Sequence, residues 1–85
     1  MKKFEYTVKD PDGIHARPAG LLVKEAGKYA CSISIEKGGK TADLKRIFSV
    51  MSLGVKGGEA VTVTCDGADE QAAAAAILQM LEQNL

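Results

Sequence analysis

Residues 3–27 read KFEYTVKDPDGIHARPAGLLVKEAG, and the change of period inside this stretch decides the fold. Phe4, Tyr6 and Val8 alternate with Lys3, Glu5, Thr7 and Lys9, which predicts a strand with one buried and one wet face. Asp10-Pro11-Asp12-Gly13 then turns the chain. Proline presets φ, aspartate tolerates turn geometry, and glycine has no side chain to clash. Beyond His15 the apolar residues Ala19, Leu22, Val23 and Ala26 fall at i, i+3, i+4 and i+7, the spacing of one helix face. Pro18 fits a first turn, where a missing N–H costs nothing, and Gly27 marks the stop. Leu21 lies off the apolar stripe and is expected to be partly exposed near His15.

The same two periods recur outward from this stretch. ACSISIE, residues 30–36, alternates with Cys31, Ile33 and Ile35 inward and Ser32 and Ser34 outward. Gly38-Gly39 suits a hairpin turn, since neither residue penalises positive φ, and KTADL (40–44) is its short partner strand. KRIFSVMSLG (45–54) has mostly helical spacing. One short amphipathic helix cannot bury Ile47, Phe48, Val50, Met51 and Leu53 on one side. Val50 and Leu53 are the expected inward pair, and Ile47, Phe48 and Met51 the expected exposed apolar patch, a mark of a protein docking surface. After a turn at Gly57-Gly58, EAVTVTCDG (59–67) alternates with Val61, Val63 and Cys65 inward. DEQAAAAAILQMLEQNL (69–85) is the last helix. Asp69 and Glu70 suit its positive end, and Ala73, Ala74, Ile77, Leu78 and Leu81 form its apolar face.

Strand, helix, strand, strand, helix, strand, helix (βαββαβα) implies an α+β fold: one four-stranded antiparallel sheet with three helices on one face. The polar rows Lys3-Glu5-Thr7, Ser32-Ser34 and Thr62-Thr64 imply that the other face is wet. Eighty-five residues suit a single domain over 1–85. Eleven basic residues balance eleven acidic ones, and aromatic residues are 5% of the chain, so no nucleic-acid partner is expected. No secretion signal and no apolar run near ~20 residues is visible, so the expectation is a cytoplasmic protein without membrane insertion. Cys31 and Cys65 are then two reduced, packed thiols.

His15 is the chain's one histidine, and it stands at the entry of the first predicted helix. The first N–H groups of a helix lack internal partners and carry partial positive charge, so a phosphate is stabilised there. Arg17, two residues on, could reach phosphate oxygens with its forked guanidinium. An imidazole titrates near ~6.5, so a neutral ring nitrogen is available as a nucleophile at neutral pH. From the residue types alone this phosphohistidine reading competes with a solvated surface histidine. A metal site lacks a second histidine or a cysteine cluster to supply ligands, and no metal or other cofactor is expected.

GIHARPAG, residues 13–20, closely resembles the active-site motif of HPr, the histidine-containing phosphocarrier family of the bacterial sugar phosphotransferase system. KTADLKRIFSVMSLGVKGGEAVTVTCDGADE, residues 40–70, resembles the second half of the same family, so the likeness covers essentially the whole chain. It implies an open-faced β-sandwich of four antiparallel strands and three helices. It further implies a carrier, rather than a stand-alone enzyme, that takes a phosphoryl group from enzyme I and passes it to the enzyme IIA domains of sugar permeases. His15 matches the phosphorylated residue, through Nδ1, Arg17 the arginine beside the phosphate, and Pro18 the proline that follows, with Ala16 and Arg17 as phosphate-binding positions. Gly20, Leu21, Lys24, Ile47, Phe48 and Met51 match the family's docking surface. Contacts with partners are expected to be transient, with Arg17, Lys24, Lys45 and Arg46 as a basic rim around the apolar centre, and the protein to be a monomer.

One position departs from the family pattern. Part of the family carries a regulatory serine just before the second helix, phosphorylated by a kinase in catabolite repression, and in this chain that position is Arg46. Arginine is a poor N-cap, so another group is expected to take up the amides of that helix start. The competing reading is an HPr-like regulatory module without a transport role. Such regulators lack the histidine and keep the serine, the opposite of the pattern in this chain.

Overall fold

The computed structural model describes residues 1–85. The elements follow the expected order: β1 (Lys2–Thr7), α1 (Ala16–Ala26), β2 (Ser32–Lys37), β3 (Lys40–Asp43), α2 (Ile47–Ser52), β4 (Ala60–Asp66) and α3 (Glu70–Asn84). The strands form one antiparallel sheet in the order β1-β4-β2-β3. Its register aligns Phe4, Val63, Ile35 and Ala42 in a row across all four strands. Because side chains alternate along a strand, that register puts one apolar face together, and a slip by one residue would turn it outward.

The helices cover that face, giving an open-faced β-sandwich. Val8, Ile33, Ile35, Val61, Val63 and Cys65 from the sheet side pack with Ala19, Leu22, Ala26, Val50, Ala73, Ile77 and Leu81 from the helices. No polar or charged residue is buried. The opposite face carries exposed Lys3, Glu5, Thr7 and Ser32 and half-buried Ser34, Thr62 and Thr64, as the alternation predicts. Gly38 and Gly39 turn β2 into β3 at φ +57° and +83°, a mirror-image turn whose twist matches the strands.

Several predicted details are corrected. Ile47, placed in the exposed patch, is half-buried against the core. It lies beside Gly20, where an added Cβ would stand 3.7 Å from Ile47 Cδ1. Asp69 is the N-cap residue of α3, yet its carboxylate makes no cap bond. It accepts instead from the N–H groups of Ala30 at 2.8 Å and Cys31 at 2.9 Å, joining the start of α3 to the entry of β2. The core also takes in Ile14, Leu44, Val55 and Leu85, four residues outside any regular element.

The segment that carries His15 is anchored from two sides. Val8 N–H donates to the Glu59 carbonyl at 3.0 Å, and Ile14 N–H to the Val55 carbonyl at 3.1 Å. Lys9 and Asp10 N–H groups both donate to the backbone oxygen of Leu85, at 2.6 and 2.9 Å. Gly13 sits at φ +68°, and a Cβ there would lie 2.0 Å from the Val55 oxygen, so only glycine lets the turn close on this neighbour.

Candidate functional site

His15 is the N-cap residue of α1, with extended backbone (φ −91°, ψ −173°) and a side chain free of any capping bond. Its carbonyl accepts the Ala19 N–H at 3.0 Å, the first bond of the helix. The Ala16 and Arg17 N–H groups precede that bond and have no partner within the helix, and Pro18 has no N–H to offer. Proline therefore leaves two open amides beside the imidazole instead of three, and fixes the turn that presents them. The ring itself is 44% exposed, so its nitrogens are reachable from solvent.

His15, Arg17, Pro18 and Leu21 line one shallow depression of about 270 Å³ together with Asp10, Gln83 and Asn84. The residues predicted for the site are thus together, and Leu21 is 37% exposed beside them. Asp10, Gln83 and Asn84 were not predicted. Asp10 reads as a turn residue in sequence. The end of α3 lies beside the site, where the Leu85 oxygen accepts from the Lys9 and Asp10 N–H groups.

Asp10 Oδ2 lies 3.6 Å from His15 Nε2, while its other oxygen, Oδ1, accepts the Asp12 N–H at 2.9 Å. The donor atoms of Asp10, Asp12 and His15 also fall within 4.8 Å of one another. Asp12 and His15 are exposed, and exposed acidic groups gather in this way without binding an ion.

The expected docking residues lie on α1 and α2, which meet at Gly20 and Ile47. Phe48 is 84% exposed and Met51 38%, Lys24 is exposed and Gly20 half-buried. The basic rim is smaller than expected. Lys45 is half-buried, and its Nζ donates to the Tyr29 carbonyl, between α1 and β2, at 2.7 Å. Arg46 stays out in solvent, 3.9 Å from Asp43.

As N-cap of α2, Arg46 makes no side-chain bond to the helix, and no other group takes up the first-turn amides. Asp43 satisfies the preceding turn instead. Its Oδ1 accepts from Lys45 N–H at 2.9 Å, and its carbonyl accepts from Arg46 N–H at 3.0 Å.

The thiols lie away from the site and are free and buried. Burial, followed by the Asp69 carboxylate, pushes Cys31 up to about 11, and burial raises Cys65 as well.

The family model for the PTS HPr component phosphorylation site matches residues 2–83. The phosphocarrier protein HPr of Mycoplasma genitalium is 45% identical over 85 residues, 99% of this chain and 97% of that protein. The solved structure of a mycoplasma histidine-containing phosphocarrier protein superposes with a TM-score of 0.95 at 39% identity, covering 96% of this chain and 93% of the other. Crh, the Bacillus subtilis catabolite repression protein, solved as a dimer with a swapped domain, gives 0.79 at 34% identity over 100% and 98% of the two chains.

Proposed function

This chain belongs to the HPr family of phosphotransferase-system phosphocarriers, and from that premise we propose that it takes one phosphoryl group on His15 from phosphorylated enzyme I and yields it to enzyme IIA domains. The observation that carries this reading is the exposed imidazole beside the open Ala16 and Arg17 amides, with the Arg17 side chain lining the same depression. Helix-end amides and a guanidinium hold a phosphoryl group without any cofactor. The chain acts as a stoichiometric carrier over residues 1–85, and catalysis comes from the partner that aligns donor and ring.

In this reading Gly20, Leu21, Lys24, Ile47, Phe48 and Met51 form the transient docking face, with Arg17, Lys24 and Arg46 around it. Partners are proteins that offer an apolar centre with acidic surroundings. The chain works as a monomer in the cytoplasm, and it has no helix long and apolar enough to cross a membrane.

The test is incubation with enzyme I and radiolabelled phosphoenolpyruvate. One acid-labile phosphate per chain is expected, absent from His15→Ala. Label on the alanine variant would end the proposal. Arg17→Ala is expected to slow transfer while its melting temperature stays put, and equal transfer rates would show that the guanidinium does not hold the phosphoryl group.

A regulatory reading is favoured by the likeness to Crh. His15 is present, and Arg46 supplies no hydroxyl for a kinase. A chain that takes no label from enzyme I, though folded and with His15 exposed, would favour that second reading.

A further inference from the structure

We propose that Asp10 is a positioning residue for His15. Its carboxylate holds the ring in the form protonated at Nε2, so that the Nδ1 lone pair faces the phosphoryl donor, and it balances the charge the ring gains on transfer. This rests on His15 being the phosphorylated residue.

Asp10 is held at its backbone N–H, at its carbonyl and at one carboxylate oxygen, which leaves the other oxygen facing the imidazole. Oδ1 is occupied by the Asp12 N–H at 2.9 Å, with Pro11 fixing φ between them. The Asp10 carbonyl accepts the Gly13 N–H at 2.9 Å, closing the turn. The Asp10 N–H is tied to the Leu85 oxygen at 2.9 Å. Only Oδ2 is left, and it points at His15 Nε2 from 3.6 Å. An ionised carboxylate accepts hydrogen bonds and cannot donate them, so the nitrogen facing it is the one that carries hydrogen. The contact is long for a hydrogen bond, as contacts of catalytic groups often are before the reacting complex forms.

The transfer step then balances without moving that proton. The Nδ1 lone pair attacks phosphorus, the N–P bond forms, and the bond from phosphorus to the donor breaks with its electron pair leaving on the donor. The ring is now cationic, with hydrogen on Nε2 against Asp10. On delivery the N–P bond breaks, its pair returns to Nδ1, and Nε2 keeps its hydrogen. A carboxylate that holds the tautomer and stabilises the imidazolium does the same work in hydrolytic triads. The charged groups around the ring divide the task. Arg17 and the α1 amides serve the phosphoryl oxygens, Asp10 serves the ring, and the exposed Asp12 carboxylate, within 4.8 Å of the ring, adds a second, more solvent-screened negative charge.

Asp10→Asn tests this, since the carboxamide oxygen can still accept the Asp12 N–H while the charge is gone. With enzyme I and labelled phosphoenolpyruvate, the variant is expected to reach the same one phosphate per chain. The kcat of enzyme I with the variant as phosphoryl acceptor falls about three- to fivefold, the scale of a solvent-screened ion pair, at unchanged KM for the chain. Long-range ¹H–¹⁵N spectra read the ring independently of activity. The wild type is expected to show hydrogen on Nε2 and a bare Nδ1, and in the variant the two nitrogen shifts draw together.

Identical kcat in the two proteins, a change confined to KM, matching ring spectra, or hydrogen on Nδ1 in the wild type would each overturn the role of Asp10. Label on a His15→Ala chain would instead overturn the underlying reading, and the inference with it.

Discussion

Gly13→Ala is the substitution for which the structure sets the sharpest cost. Residue 13 lies at φ +68°, and an alanine in that left-handed region costs about 1–2 kcal/mol by the clash of Cβ with its own backbone. The new Cβ would also meet the Val55 oxygen at 2.0 Å, the Lys56 Cα at 2.7 Å and the Val55 carbonyl carbon at 2.8 Å. All three are backbone atoms, so no side chain can swing aside. The turn has to lift off Val55, and the Ile14 N–H bond to that carbonyl is lost, about 1 kcal/mol more. The sum is about 2–3 kcal/mol, which for a chain of this length lowers the melting temperature by roughly 10–20 °C.

Gly38→Ala is the comparison. It carries the same kind of penalty at φ +57° but meets nothing within 4 Å, so its cost is about 1–2 kcal/mol with no second contribution. Thermal unfolding followed by far-ultraviolet circular dichroism measures both. Phosphoryl gain at a temperature where each is folded then reads the effect on His15, which should slow in Gly13→Ala alone. If the two variants melt together, or if Gly13→Ala accepts phosphate at the wild-type rate, the rigid seat assigned to the Asp10–His15 turn is wrong.

Other consequences follow from the same geometry. Phe48→Asp is expected to leave stability within ~0.5 kcal/mol, because the ring is 84% exposed, while transfer to a IIA domain weakens; a large fall in melting temperature would mean that Phe48 supports the core. Three carboxyls are held below the usual carboxylate range: Asp69, first by the Ala30 N–H; Glu59, first by the Lys56 N–H; and Glu70, first by the Met1 ammonium. Lowered folded values mean stability that is present above the unfolded value of about 4 and is lost as pH falls through the folded ones. Urea midpoints should therefore drop below about pH 4, and Asp69→Asn should flatten that fall; an unchanged slope in the variant would remove Asp69 as a contributor. The raised, buried Cys31 and Cys65 thiols should resist iodoacetamide at pH 8 in the native protein and react at once in urea. Rapid native labelling would show that the core opens there.

Much of this was legible in the residues because periodicity is local. Phe4-Tyr6-Val8, Ile33-Ile35 and Val61-Val63-Cys65 alternate, and Ala19-Leu22-Ala26 and Ala73-Ile77-Leu81 recur at helical spacing, so each element announces its inward face without reference to its neighbours. His15 at the start of α1 was legible for the same reason, since a helix start is marked by the residues that surround it. Other features stayed hidden because a contact at long sequence separation decides them. Ile47 is drawn inward by the closeness of α1 at Gly20, Lys45 is held by the Tyr29 carbonyl, and Asp69 turns from its own helix to the amides of residues 30 and 31.

By itself, then, the sequence determined the elements, the face each one buries and the histidine at a helix entry, since those depend on interactions within a few residues. The tertiary structure alone decided that β4 lies between β1 and β2, and that the Leu85 oxygen and the Val55 carbonyl clamp the turn before α1. It also aimed one oxygen of Asp10 at the imidazole. Chain closure brings those groups together, and no periodicity along the chain records which distant backbone atom will be waiting there.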